Sequence, residues 1–316
     1  MPELPEVETV KNGLNKFLPG LIVSKVEFDW PKSFPNAPND VSTNLIGAKI
    51  VTVRRRAKTL MIDLSTDYTL VTHLKMTGQL VFVRCTSSRK SKVESQKSDT
   101  TLNSNLESLT SPEERFGAGH PNNSLIGQLP DKSTRATITF GDGSHLYFND
   151  QRKFGWMRLM PTSEVPNLKF MQRLGPEPLE ADFTPEIFRE RLLRRKNSGI
   201  KAVILDQTVI AGVGNIYADE SLWGARINPS TITGKLSTSQ IKSLHEELRF
   251  VLRLAIEKGG STDRNYVNAE GKRGSYMDFA RVFRREGQAC PRCGDIVIKT
   301  RVASRGTHFC PTCQKV

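Results

Sequence analysis

The chain begins with residues that place a nucleophile beside two carboxyl groups. Removal of Met1 would leave the secondary amine of Pro2 at the chain end. An α-amino group has a pKa of about 7.7–8.0, so part of it is unprotonated near neutral pH and can form a Schiff base with an aldehyde. Glu3 adjoins this amine and Glu6 follows three residues later, so both are candidate acid–base groups. A proline-stiffened acidic terminus without chemistry explains these residues equally well.

Four of the five cysteines occur near the C-terminus as two Cys-x-x-Cys pairs, Cys290 with Cys293 and Cys310 with Cys313. This spacing is typical of a β-hairpin that presents four thiolates to one tetrahedral zinc ion. Two disulfides or unrelated buried thiols are the alternatives, which the lack of a secretory signal pattern disfavours. Four protein ligands leave no open position for water, so we predict one structural zinc ion per chain. Cys85 is predicted to be an incidental thiol.

The composition indicates a polyanionic partner. The 316 residues include 46 Lys plus Arg against 33 Asp plus Glu, a formal net charge of +13. Such an excess is typical of proteins that bind nucleic acid phosphates. An acidic membrane surface is the rival partner, and the sequence disfavours it because no apolar run is long enough to span a bilayer. We expect a cytoplasmic protein with two domains and a smaller element.

The N-terminal half reads as β-structure. Short β-branched runs between residues 21 and 83, broken by Gly, Pro, Asn and Asp, predict antiparallel strands in a sandwich or barrel. Residues 136–140 and 145–148 predict a hairpin around Gly141-Asp142-Gly143. Residues 84 to 115 have almost no apolar side chains, so we expect a disordered surface insertion there. A phosphate-contacting arm is the alternative.

The pattern changes to helices from Thr184, which precedes Pro185 as an N-cap precedes the first helical residue. Two more helices are predicted at about 200–206 and 239–258. Arg194-Arg195-Lys196 and Lys201 suit phosphate contact, and a solvated basic face is the alternative. The glycines of the segment 212–220 are expected to bring N–H groups to an anion such as a DNA phosphate, and a capped turn without ligand is the alternative.

The chain resembles the bacterial formamidopyrimidine-DNA glycosylases, repair enzymes that remove oxidised purines. The resemblance extends over nearly the whole chain except roughly residues 84 to 130. The motifs that carry it are Pro2 to Glu8, Arg55-Arg56-Ala57-Lys58, His73 to Gly78, Asp150-Gln151-Arg152-Lys153-Phe154-Gly155, Leu174 to Leu179, Gly212 to Glu220 and the four paired cysteines.

The resemblance implies a multidomain α+β fold. An N-terminal antiparallel β-sandwich with flanking helices would span residues 1–160, with the disordered insertion at about 84–130. A linker at 161–183 would lead to a helix-two-turn-helix domain at 184–282, which carries a loop over the lesion at about 264–283. A zinc finger at 283–316 would end the chain.

The same resemblance implies roles for individual residues. Pro2 would be the nucleophile, Glu3 the proton donor and Lys58 the lysine of β-elimination, with Arg305 linked to δ-elimination. Side chains that fill the gap left by an extruded nucleotide would be Met76, Arg152 and Phe154, although core packing is the ordinary role of such a Met or Phe. Phosphate contacts would come from Asn215, Lys201 and, more weakly, Lys196.

The implied activity is a bifunctional DNA glycosylase and abasic-site lyase that acts as a monomer on double-stranded DNA with oxidised purines or abasic sites. Some positions depart from the family pattern: Ser133 stands where a histidine is frequent, Gln151 replaces a proline and Lys75 replaces a common glycine. A zinc-ribbon protein without catalysis gives no reason for the Pro2-Glu3 start. The related endonuclease VIII group usually has glycine where this chain has Leu4, which favours the purine branch.

Overall fold

A computed structural model describes residues 2–28, 30–84, 114–120, 123–261 and 275–315. Nine strands form its N-terminal part: β1 (Val23–Phe28), β2 (Ile50–Arg56), β3 (Thr59–Leu64), β4 (Tyr68–His73), β5 (Gly78–Val83), β6 (Arg115–Gly119), β7 (Thr134–Phe140), β8 (His145–Asp150) and β9 (Trp156–Pro161). They build one sheet of order β1-β7-β8-β5-β6 and a second of order β2-β3-β4-β9, in which all pairs are antiparallel.

Both sheets bury apolar side chains in one shared core, as a sandwich requires. Leu60 and Ile62 of β3 and Leu80 and Phe82 of β5 belong to this core and are almost fully shielded. The predicted hairpin is confirmed, because β7 pairs with β8 around Gly143, whose φ of 81° suits a residue without a Cβ. The predicted antiparallel sandwich is therefore confirmed.

One part of the predicted insertion is ordered. Within the interval 84–130, β6 pairs with β5 along its whole length, and a short 3-10 helix follows at Asn123–Leu125. Phe116 of β6 packs into the sandwich core, so the prediction of disorder is wrong for this part. Residues 85–113 and 121–122, on which the rest of that prediction falls, lie outside the described residues.

The helices of the described chain are α1 (Leu4–Phe17), α2 (Pro38–Asn44), α3 (Lys169–Gln172), α4 (Pro185–Leu193), α5 (Ile200–Leu205), α6 (Asn215–Gly224) and α7 (Thr238–Glu257). Helix α4 starts as predicted, since the Thr184 hydroxyl accepts a hydrogen bond from Ile187 N–H. Helix α1 was not assigned from the sequence; it buries Val7, Val10 and Leu14 against the sandwich. Among the described helices, none is both long and apolar enough to cross a bilayer.

A second core joins α4, α5, α6 and α7, with residues such as Phe188, Ile204, Leu222 and Leu248. The chain ends in a hairpin of β10 (Ile298–Val302) and β11 (Arg305–Phe309), which lies between the two cysteine pairs. The helical domain and the C-terminal hairpin thus follow the sandwich in the predicted order.

The segment expected to cover the lesion, about 264–283, divides in two. Residues up to 274 lie outside the described part of the chain. Residues 275–283 pack firmly: Tyr276 is buried against Tyr217, and the N–H groups of Val282 and Phe283 donate to the Glu220 carboxylate. Tyr276 joins the helical core and Val282 packs near the cysteine cluster, so this second half is held against the helical domain, while its role over a lesion stays a prediction.

Candidate active site

The N-terminal residues lie inside the protein where the sandwich meets the helical domain. Pro2 and Glu3 are both buried. One carboxylate oxygen of Glu3, Oε1, accepts a hydrogen bond of 3.0 Å from Ile216 N–H at the start of α6. Its other oxygen, Oε2, is buried and has no hydrogen-bond partner among the described residues. Glu3, the residue next to Pro2 in the chain, thus has one carboxyl oxygen without a partner among the described residues.

Burial raises the pKa of Glu3 to about 7, against an ordinary value of 4.5. Nearby Lys58 lowers this pKa and the neighbouring carboxylate of Glu6 raises it, but loss of hydration is the largest cause. A carboxyl group with such a pKa keeps a proton in a large fraction of molecules at neutral pH. Glu3 therefore has the property that a general acid needs.

Two glycines let α6 approach Glu3 this closely. A Cβ on Gly214 would lie 2.2 Å from the Glu3 Cδ, and one on Gly212 would lie 2.6 Å from Leu4. We predicted that this Gly-x-Gly would serve an external phosphate. In the structure the helix N-terminus instead binds the carboxyl group of Glu3, through Ile216 N–H.

Lys58 lies at the turn between β2 and β3. It is almost fully buried, which lowers its pKa, and its ammonium donates to the Val213 carbonyl at 2.9 Å. The preceding motif residues hold this turn: Arg55 pairs with Glu177 at 2.8 Å, and Ala57 N–H donates to the same carboxylate. The Arg-Arg-Ala-Lys and Leu-Gly-Pro-Glu motifs thus bind one another and place Lys58 at the site.

Glu6 connects three elements around Glu3. Its Oε2 accepts from Glu3 N–H at 2.8 Å, while Oε1 accepts from the Tyr217 hydroxyl at 2.5 Å and from both the N–H and hydroxyl of Ser261 at 2.8 Å. Burial raises the pKa of Tyr217 well above its ordinary value, so this hydroxyl stays protonated as a donor. Neither Tyr217 nor Ser261 was identified from the sequence, because only the folded chain brings them to Glu6.

A basic cavity of about 630 Å³ adjoins Lys58. Its lining includes His73, Lys75, Lys169 and Arg173. Burial, together with Lys75 and Lys58, lowers the pKa of His73 to about 3, so the imidazole is neutral. Nδ1 of His73 accepts from Lys75 N–H at 3.0 Å, which leaves Nε2 as the protonated nitrogen. The motif His73 to Gly78 alone assigns no role to His73, whose position in the cavity lining makes it a further candidate anion contact.

The three predicted gap-filling residues are brought together at the surface. Met76 is 42% exposed and Phe154 55% exposed, so core packing is excluded for both. Between them, the Arg152 guanidinium lies 3.2 Å from the Met76 sulfur and 5.0 Å from the Phe154 ring centroid. Exposed apolar side chains around a cation are well suited to enter an unstacked base step.

Lys201 does not lie on the surface. It is fully buried, forms an ion pair of 2.6 Å with Asp219 and donates to the Thr307 hydroxyl at 2.8 Å. The predicted phosphate contact by Lys201 is therefore wrong for this structure, in which the lysine ties α6 to the C-terminal hairpin. Lys196, in contrast, is exposed after α4.

Asn215 and Arg305 lie next to each other at this junction. The Asn215 amide donates to the Gly306 carbonyl at 2.9 Å, and Arg305 is the exposed first residue of β11. The hydrogen bond of Asn215 places the hairpin turn at the N-terminus of α6, two residues after the Val213 carbonyl that binds Lys58. Ser133, at the position where the family often has histidine, is buried and donates to Asp131.

The four paired cysteines form a single cluster with the right geometry for zinc. Their sulfur atoms all lie within 4.8 Å of one another, as tetrahedral zinc–sulfur bonds of about 2.3 Å require. None of the four forms a disulfide. The Trp223 indole N–H lies 3.4 Å from the Cys290 sulfur, which links the cluster to α6.

Comparisons with known proteins agree with this architecture. Three family models match in sequence order: the formamidopyrimidine-DNA glycosylase N-terminal domain over residues 1–157, its H2TH domain over 174–266, and the zinc finger found in FPG and IleRS over 287–316. A sandwich, an H2TH domain and a zinc finger in this order define a DNA glycosylase of base-excision repair. The predicted single zinc ion is confirmed by the third model and the cysteine cluster.

The chain belongs to the formamidopyrimidine-DNA glycosylase family. Formamidopyrimidine-DNA glycosylases from Pelotomaculum thermopropionicum and Chloroflexus aurantiacus are each 39% identical to it, with 100% and 99% of this chain and 100% and 98% of theirs covered. A Lactococcus lactis FPG mutant, solved in complex with Fapy-dG containing DNA, is 33% identical with a TM-score of 0.80 and complete coverage of both chains. The Lactococcus lactis enzyme with abasic-site DNA is also similar, at a TM-score of 0.79 and 32% identity with 99% of this chain and 100% of that chain covered.

Proposed function

We propose that this chain excises oxidised purines, such as 8-oxoguanine and formamidopyrimidines, from double-stranded DNA and then cleaves the strand at the abasic site by β,δ-elimination. The observation that carries the proposal is the buried Glu3 carboxyl group, which follows Pro2 in the chain and has a pKa of about 7 and one oxygen without a partner. A protein that only bound DNA would have no need to bury a carboxyl group at such cost.

Base loss is the first step. The Pro2 amine forms a bond to the sugar C1′ while the bond from C1′ to the base breaks, and Glu3 supplies a proton during this departure. Opening of the sugar then yields a Schiff base between Pro2 and C1′. Glu6 is a positioning residue in this scheme, because it holds the Glu3 backbone and the Tyr217 hydroxyl rather than the substrate.

Elimination is the second step. The Schiff base makes a proton at C2′ acidic, and its removal expels the 3′-phosphate; a second elimination expels the 5′-phosphate. Lys58 suits this stage because burial lowers its pKa and increases the unprotonated fraction of its amine. Arg305 is exposed in the hairpin turn that Asn215 binds, where a cation would favour the departing phosphate.

Damaged DNA would be held by groups on both sides of the site. We propose that Met76, Arg152 and Phe154 fill the step from which the nucleotide is extruded, with Arg152 facing the orphan base. Phosphate contacts would come from Asn215, which is the first residue of α6. His73, Lys75 and the other cations of the basic cavity would extend this phosphate track, and exposed Lys196 is a weaker candidate.

The four cysteines suit zinc, which with four thiolate ligands has a structural role. Bound zinc would hold the hairpin rigid, while Lys201 and Asp219 fix the hairpin against α6. The Arg305 turn would then remain at the active site. The zinc site, which takes no part in the reaction, would in this way determine the position of Arg305.

The experiment is cleavage of a duplex with 8-oxoguanine opposite cytosine, combined with borohydride trapping. We expect base release, strand scission and a covalent adduct. Binding without trapping would indicate a non-catalytic DNA-binding protein. A substrate panel separates the remaining alternative, since a preference for oxidised pyrimidines would indicate activity of the endonuclease VIII type.

A further inference from the structure

One buried carboxylate joins the two loops that carry the exposed side chains Met76, Arg152 and Phe154. Asp150 ends β8 and is fully buried. Its Oδ1 accepts hydrogen bonds from the Thr77 hydroxyl and from Arg152 N–H, the latter at 3.2 Å. Its Oδ2 accepts from Gly155 N–H at 2.6 Å. Asp150 therefore binds both ends of the β8–β9 loop and also the residue that follows Met76 in the β4–β5 loop.

Thr77 completes the link between the loops. Its side chain is 8% exposed, and its hydroxyl donates to Asp150 while it accepts from Arg152 N–H at 3.1 Å. A single hydroxyl thus connects one loop to the backbone of the other. Arg152, whose N–H takes part in this connection, also reaches the Met76 sulfur with its guanidinium at 3.2 Å.

Gly155 permits the tight closure of the β8–β9 loop. A Cβ at this position would lie 2.9 Å from the Phe148 ring and 3.1 Å from Asp150 Oδ2. Because Gly155 has no Cβ, its N–H can reach the Asp150 carboxylate at 2.6 Å. The loop between residues 151 and 155 is therefore pinned at both ends on one side chain.

Each loop also contains a lysine in the left-handed backbone region. Lys75 has a φ of 52° and Lys153 a φ of 57°, conformations that a residue with a Cβ adopts only at an energetic cost. Such conformations persist where the surroundings enforce them. The hydrogen bonds of Asp150 and Thr77 supply this restraint in both loops.

We propose that Asp150 and Thr77 are positioning residues that clamp the two loops into one rigid wedge, so that Met76, Arg152 and Phe154 enter the duplex as a unit. The inference rests on the proposed insertion of these three side chains into DNA. Rigid presentation removes the entropy cost of ordering the loops when DNA binds. The clamp touches neither Pro2 nor Glu3, so its loss affects duplex opening and leaves the chemistry unchanged.

The test compares Thr77→Val with Thr77→Ser. Valine keeps the shape and removes both hydrogen bonds, whereas serine keeps the hydroxyl. Affinity is measured for a duplex with a tetrahydrofuran abasic analogue opposite cytosine, and chemistry is measured by borohydride trapping on a single-stranded abasic oligonucleotide. We expect Thr77→Val to bind the duplex roughly tenfold more weakly, because ordering one or two more side chains on binding costs about that much, with unchanged single-strand trapping. Thr77→Ser should match the wild type in both.

Asp150→Asn provides a second variant, because an amide keeps only one acceptor oxygen and so faces either Gly155 N–H or Arg152 N–H with a donor. It should show the same selective loss on the duplex. Equal duplex affinity of Thr77→Val and Thr77→Ser overturns the clamp, as does an equal loss of single-strand trapping and duplex binding by Thr77→Val. A wild-type protein that binds the duplex but traps no abasic DNA contradicts the proposed function instead, and the affinity comparison still decides the clamp.

Discussion

Replacement of Glu3 by glutamine should stabilise the fold while it stops base excision. The pKa of Glu3 in the folded chain is about 7 and its ordinary value is 4.5, and loss of hydration is the main cause. At about 1.4 kcal/mol per pH unit between these values, ionised Glu3 costs the folded protein roughly 3 kcal/mol. Glutamine has no charge to bury and can still accept from Ile216 N–H.

The stability that Glu3→Gln gains over the wild type must increase as the pH rises. Below pH 4.5 the carboxyl group is protonated in folded and unfolded chains alike, so Glu3→Gln should change the unfolding free energy little. Between pH 4.5 and 7 the unfolded chain loses its proton first, so the wild type loses stability as the pH rises. Above pH 7 the variant should be the more stable by the full amount, roughly 3 kcal/mol.

Urea denaturation of both proteins at pH 4.5 and pH 8 measures this difference. Single-turnover excision of 8-oxoguanine opposite cytosine is followed in parallel. The wild-type excision rate should follow a bell-shaped pH profile, because Glu3 must be protonated while the Pro2 amine, with an ordinary pKa of about 7.7–8.0, must be unprotonated; the rate should fall about tenfold per pH unit only above about pH 8. A stability difference that is the same at both pH values would refute a pKa raised by burial, and wild-type excision by Glu3→Gln would refute its role as proton donor.

Further variants separate the remaining roles. A retained Met1 or an N-terminal tag should abolish borohydride trapping but leave DNA binding largely intact, and equal trapping by the blocked protein would contradict the assignment of Pro2. Cys290→Ser or chelation should release zinc and weaken DNA binding; native protein that is active with much less than one zinc ion per chain would contradict this. Arg305→Ala should weaken duplex binding and reduce the slope of affinity against salt by roughly one counterion, and an unchanged slope would exclude a phosphate contact. Lys58→Ala should reduce strand scission more than base release, so equal losses in a single gel assay would contradict a role in elimination.

Features that depend on local chemistry could be predicted from the sequence. The cysteine spacing determines the metal cluster, Thr184 before Pro185 determines where α4 begins, and the Gly-Asp-Gly turn determines the β7–β8 hairpin. Each needs only residues close together in the chain. These three features can therefore be predicted without knowledge of the tertiary contacts.

The elements that escaped prediction lacked a clear local signal. Pro2 and Pro5 obscure the helical spacing of Leu4, Val7 and Val10 in α1, although proline suits the first turn of a helix. Strand β6 is five residues long, contains two glycines and follows a polar tract. Its position in the sheet comes from pairing with β5 and not from its own propensity.

Site residues were misassigned where the partner is distant in sequence. A lysine at position 201 reads as a surface cation, but the fold supplies Asp219 and Thr307 and so buries it. The sequence around Gly214 predicts a site for an external phosphate. In the fold this place is taken by the carboxyl group of Glu3, which is more than two hundred residues away in the chain. Sequence indicated the right residue types here, while only the tertiary contacts determine what each one binds.

The central claim is that the Pro2 amine attacks the damaged nucleotide with help from Glu3. The most direct measurement is borohydride trapping on a duplex with 8-oxoguanine opposite cytosine, followed by proteolysis and mass spectrometry of the DNA-linked peptide. The proposed mechanism predicts a single adduct on the N-terminal peptide, at the nitrogen of Pro2. An adduct on Lys58 or another lysine, or none despite base release, would contradict it.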